Sequence, residues 1–158
     1  MSREEATKIF CENLELLNKS TEWLKKSFEK AKNIDLLKED LTEEELEVLE
    51  TLANRFGRTI DILINKVLRG LDIIELEGIG RKLDIVIRAE KRGFIENYQN
   101  LIEMKDLRNE FFYESIQEKL REKFKEILDK TSNLIKVIDK VREYSAKMHY
   151  CTDKDINL

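Results

Sequence analysis

Arg108 and Asn109, followed five and seven residues after the arginine by Tyr113 and Ser115, are the side chains whose types and spacing come closest to a chemical site. An arginine guanidinium can hold a phosphate through two parallel hydrogen bonds. An adjacent asparagine adds a neutral donor and acceptor. A tyrosine phenol ordinarily titrates near about 10, so at neutral pH it keeps its proton and makes a poor base. Phosphate binding is therefore within reach of this set, and proton transfer at neutral pH is not. The single imidazole, His149, falls near the end of the last predicted helix. An imidazole is the group suited to exchange a proton at that pH.

A second set lies upstream. Asn54, Arg55 and Arg58, with Asp61, Lys66 and Arg69, fall on one or adjacent faces of a predicted helix and could form a polar groove against Arg108. The competing reading is a solvated face laced with ion pairs. Arg108 has a competing reading too: a structural pair with Glu103, Asp106 or Glu110, and Asn109 bonded to a backbone at a helix crossing. Phe112 and Tyr113 read as packing or interface residues before they read as catalysts.

Other chemistries find no footing. Gly78-Ile79-Gly80 lacks the continuation of a phosphate-binding loop. Glu43, Glu44 and Glu45 read as helix-capping residues. Cys11 and Cys151 stand near opposite ends, with no CxxC pair, and read as reduced thiols. Two distant cysteines and one histidine are too few for a metal site. No metal and no cofactor is expected.

The elements that position these residues follow from composition and periodicity. The chain has 158 residues, 41% hydrophobic and 39% charged, and no proline. A proline-free chain rich in Glu, Lys and Leu suits long helices. The net charge of −4 gives no global field favouring nucleic acid or an anionic membrane. The polar start Ser2-Arg3-Glu4-Glu5 is unlike a signal peptide. No apolar run approaches the length of a membrane span, and a cytoplasmic location is expected.

Phe10, Leu14, Leu17, Thr21, Leu24, Phe28 and Ala31 alternate by four and three residues, which predicts a helix over Glu4 to Lys32, with Trp23 at its seam edge. Thr42 and Glu45 spell a capping box, with Leu41 placed to staple onto Leu46. That second helix should end near Gly70. Gly57 at its middle costs about 1 kcal/mol relative to alanine and calls for a close helix crossing. Leu71 to Gly80 reads as an ordered loop, and a short helix follows from Arg81 to about Arg92, stopped by Gly93. A fourth helix is predicted from Glu96 or Asn97 to about Tyr113, and a fifth from about Ser115 to Lys147. The fold class is all-α: an antiparallel up-and-down bundle of four main helices plus a short one. One domain spans 1–150, and 151–158 is a flexible tail, with Tyr150 already loose.

Taken together, Leu41-Thr42-Glu43-Glu44-Glu45, Ala53-Asn54-Arg55-Phe56-Gly57-Arg58, Ala89-Glu90-Lys91-Arg92-Gly93 and Leu107-Arg108-Asn109-Glu110 resemble the HEPN superfamily. The likeness is closest to its small prokaryotic members called nucleotidyltransferase substrate-binding-like proteins. In active relatives an arginine is followed by four residues, a histidine, any residue and a tyrosine. Arg108 matches the arginine and Asn109 the polar residue that often follows it, but Tyr113 stands at the histidine position and Ser115 at the tyrosine position. The resemblance implies metal-independent RNA cleavage in a toxin–antitoxin pair with a small nucleotidyltransferase, and a homodimer, here built through the fourth-helix region. The missing imidazole implies a non-catalytic or weakly active partner, binding nucleotide, RNA or the transferase at a cleft near Arg108. Its rivals are a ribonuclease toxin whose base has moved and a purely structural bundle.

Overall fold

The computed structural model describes residues 1–78, 80–111 and 117–151, and of Phe111 and 117–119 only the backbone. Every regular element among them is helical. Helix α1 covers Arg3–Ala31, opened by the Ser2 hydroxyl accepting from the Glu5 amide. Helix α2 covers Glu43–Ile62, and its capping box has the predicted partners: the Glu45 amide donates to Thr42 Oγ1, and the Thr42 amide donates to Glu45 Oε1. A π-helical stretch, Leu63–Leu68, and helix α3, Arg69–Ile74, continue the same rod. Helix α4 is Lys82–Lys91, α5 is Gln99–Phe111 and α6 is Gln117–Lys147.

The predicted stop at Gly70 is overturned. The rod runs on to Ile74, and Leu71–Ile74 is helix rather than loop. Gly70 is small because Phe10 of α1 lies against it: a Cβ there would sit 3.2 Å from Phe10 Cδ2. The stop assigned to Gly93 is real, since Gly93 takes φ +85, a backbone region open to glycine at little cost.

Side-chain pairs give the helix directions. Ser20 meets Thr59 at 2.7 Å and Phe10 meets Gly70, so α1 and the α2–α3 rod run antiparallel. Lys130 pairs with Glu103 and Lys123 with Glu110, so α5 and α6 are antiparallel. The far end of α6 returns to the start of α1, where Tyr150 packs edge-on against Phe10 at 6.2 Å between ring centroids. The result is the four-helix up-and-down arrangement, with α4 as the short fifth.

The stripes supply the core. Phe10, Leu14, Leu17 and Leu24 of α1 are buried against Leu49, Phe56, Ile60 and Val67 and against Phe124, Ile127, Leu134 and Ile138. Polar residues in the stripes are satisfied within their own helices: Thr21, Thr59, Thr131 and Ser145 each donate to the carbonyl four residues earlier, the local bond open to a helical hydroxyl.

The chain end is the second correction. Cys11 and Cys151 form a disulfide, with their Cα atoms 5.7 Å apart, instead of two reduced thiols. Tyr150 and Cys151 are therefore tied to α1, and the expected loose segment does not begin at Tyr150; residues 152–158 lie outside the described residues.

Candidate functional site

Arg108 sits one turn before the last described residue of α5 and crosses α2 at Gly57. Its Cγ would lie 2.5 Å from a Cβ at that glycine, so Gly57 is the close crossing that the sequence called for. One helical turn on, Asp61 receives Arg108 Nη2 at 3.0 Å. Both side chains of that pair are 35% exposed. The side chain is thus held by α2 while part of it faces water. Asn109, next to it, is exposed, and its Oδ1 lies 3.4 Å from Arg108 Nη1. Asn54 and Arg58 are also exposed, at helical spacings that place them on the Asp61 face of α2.

Arg55 does not join them. One residue along α2 it is turned toward α1, where it donates to Ser27 Oγ at 2.7 Å and to the Trp23 carbonyl at 3.2 Å. Its guanidinium carbon also lies 5.0 Å from the Trp23 ring centre, within cation–π range. Tyr113 and Ser115, with Phe112, lie outside the described residues. Of the predicted site, then, Arg108, Asn109, Asn54 and Arg58 share one region, and Asp61 is a carboxylate that Arg108 pairs with there. The candidates Glu103 and Glu110 pair instead with Lys130 and Lys123 of α6.

A denser cluster was not read from the sequence. Asp72, buried in α3, takes Arg92 Nη1 at 2.8 Å and Arg88 Nη1 at 3.1 Å. Arg92 also grips Glu75 through Nη2 at 2.9 Å and Nε at 3.0 Å. The other oxygen of Glu75 accepts the phenols of Tyr144 at 2.6 Å and Tyr150 at 2.5 Å. Burial pushes the Glu75 carboxyl up, but the bonds from Tyr144, Tyr150 and Arg92 outweigh it and hold it below the ordinary carboxylate value. Burial, and then the bond to that carboxylate, push the Tyr150 phenol up to about 12. The same causes raise Tyr144. These phenols are donors that hold their protons. The cluster locks α3, α4 and the chain end together and does not supply a base. Its one signal in the sequence was Arg88 and Arg92 four residues apart on α4, which also reads as an ordinary basic helix end.

Among the described residues no group of three or more His, Cys, Asp or Glu is placed to hold a metal. No helix among them is long and apolar enough to cross a membrane. Comparison of the chain with protein-family models, with curated proteins and with solved structures gives no match.

Proposed function

We propose that this chain is the helical partner of a small nucleotidyltransferase in a toxin–antitoxin-like pair, and that it is dimeric. It presents Arg108 and Asn109, flanked by Asn54 and Arg58, to a phosphate-bearing nucleotide, an RNA or the transferase itself. The observation that carries the reading is the seating of Arg108. Gly57 lets α5 approach closely, Asp61 fixes one edge of the guanidinium, and the side chain still keeps 35% of its surface in water. A partly solvated arginine that meets a partly solvated carboxylate can exchange that contact for a phosphate without leaving a charge buried. In the motif that the chain resembles, the position of the proton-shuttling histidine is Tyr113, so binding without turnover is the proposal.

The test is titration of a labelled single-stranded RNA and of ATP into the purified chain and into Arg108→Ala, with the same RNA followed for cleavage. Loss of a charge-assisted pair of hydrogen bonds should weaken binding about 10- to 100-fold, and the RNA should stay intact. Arg108-dependent cleavage would establish the ribonuclease instead. The Asp61 pair, at 3.0 Å, favours a second reading in which Arg108 only joins α2 to α5. In that case Arg108→Ala lowers the melting temperature, and neither RNA, ATP nor a co-expressed transferase binds the parent chain.

A further inference from the structure

Helix α1 carries two apolar stripes, and only one faces the core. The other is exposed: Ile9 is 44% exposed, Leu16 43% and Trp23 53%. Their spacing of seven residues lines them along one side of the helix. Beside Ile9 the groove between α1 and the α2–α3 rod opens into a hollow of about 300 Å³. Its floor includes Ile9, Phe10 and Gly70, its wall the exposed Ile73, and its rim Lys66 and Arg69. By contrast, the described side chains of α5, where the dimer was expected, include no exposed large hydrophobic.

The stripe is symmetric about its middle. Laid antiparallel on a copy of itself, Leu16 meets Leu16 and each Ile9 meets the other chain's Trp23. The charges follow the same symmetry. Residues 3–15 carry four glutamates against one arginine and one lysine, and residues 17–32 carry five lysines against two glutamates. At 100° per residue, Glu5 and Glu12 flank the same side of the stripe as Lys19 and Lys26. In the antiparallel register Glu12 comes beside Lys19 of the other copy and Glu5 beside its Lys26. A parallel register would turn these four charges toward the neutral side of the mate's stripe, Ala6, Asn13, Ser20 and Ser27, and leave them without that pairing.

We infer that this face is the interface between two copies of the chain: α1 packs antiparallel on α1 about Leu16, and each Trp23 seats in the Ile9–Ile73 hollow of its mate. The inference rests on the homodimer in the proposed function and moves its surface from the fourth-helix region to α1. Such an interface is isologous and closes at two subunits. The indole is a large apolar body suited to anchoring an interface, and it would enter a hollow rimmed by two cations.

The chain of 158 residues should sediment as a dimer. Leu16→Lys places two ammonium groups on the axis, where like charges repel, and should weaken self-association at least about 100-fold. Position 16 is exposed, and the helical circular dichroism of the variant should match the parent. Glu12→Lys should weaken the dimer, and adding Lys19→Glu should restore it. Trp23 is the only tryptophan, so its emission should move to longer wavelength as the parent dissociates on dilution. Register is read separately by cross-linking. Leu16→Cys should link to its own copy, whereas Ile9→Cys should link only when mixed with Trp23→Cys. A monomeric parent overturns both this face and the homodimer. A dimer that survives Leu16→Lys, or a Leu16→Cys chain that does not cross-link, overturns this face alone. None of these variants alters Arg108, so loss of the dimer and loss of phosphate binding are read independently.

Discussion

Glu75 receives two phenols on one oxygen and a guanidinium on the other, and this gives the stability of the chain a particular pH dependence. Tyr150 titrates near about 12 in the folded chain, against about 10 unfolded. A group whose folded value is raised contributes fully below its unfolded value and loses that contribution as pH climbs to the folded one. Tyr150 should therefore stabilise the fold up to pH about 10 and lose this contribution between about 10 and 12. Glu75 works in the opposite sense: its folded value is lowered, so its contribution is present above the ordinary carboxylate range and fades as acid protonates it. Denaturant melts of the parent and of Tyr150→Phe, compared across alkaline pH, isolate the phenol from the lysines that titrate alongside it. The difference in stability should shrink through that window, and a constant difference would refute the assignment. The residues of this cluster were illegible in the sequence because each is defined by a partner 16 to 75 positions away. Gly57 was legible as a place of close approach, but not as the seat of Arg108, since periodicity gives the face a residue occupies and not what crosses it. Arg55 lies away from Arg108 for a simpler reason: one step along a helix turns a side chain by about 100°, here onto Trp23.

At the scale of the element, local signals are legible in the sequence and non-local ones are not. The stripe of α1, the Thr42–Glu45 box and the stop at Gly93 depend on neighbours within one or two turns, and the structure has them where the spacing puts them. The continuation of α2 through Gly70 depends on Phe10, and a glycine that makes room for another helix has the same letter as one that ends its own. The π-helical stretch Leu63–Leu68 gave no signal at all. A π-turn inserts one residue into an α-helix. Here the stretch keeps Leu63, Ile64, Val67 and Leu68 buried while Asn65 and Lys66 face out. Deleting Asn65 should return the rod to plain α-geometry with both flanks in register, and the chain should keep a cooperative melt. Deleting Glu50, exposed within regular α2, should rotate the core stripe out of the bundle and abolish that melt. Equal damage from the two deletions would mean that the wide turn is not an insertion.

At the scale of the molecule, the two ends are joined. Helix α1 and the end of α6 meet through the Cys11–Cys151 disulfide and through Tyr150, which contacts Phe10 and Glu75. A pairing between residues 140 positions apart could not be chosen from spacing, and two lone cysteines near opposite termini read more simply as thiols. Once formed, the cross-link closes nearly the whole chain into a loop. Chain-entropy models assign their larger stabilisation to long loops, and measured values are typically about 2–4 kcal/mol. The bond also holds the chain end where the two phenols reach Glu75. Reduction under native conditions, or Cys151→Ser, should lower stability by about that amount, which for a chain of this size lowers the melting temperature by roughly 5–15 °C. Hydrogen exchange should rise first at the amides around Tyr144 to Tyr150 and last in the core of α1 and α2, because reduction frees the end of the chain and leaves the central stripes packed. A Cys11→Ala/Cys151→Ala chain should show no response to reductant. If the parent melts identically with and without reductant, the two cysteines are free thiols and the chain end is held by Tyr150 alone.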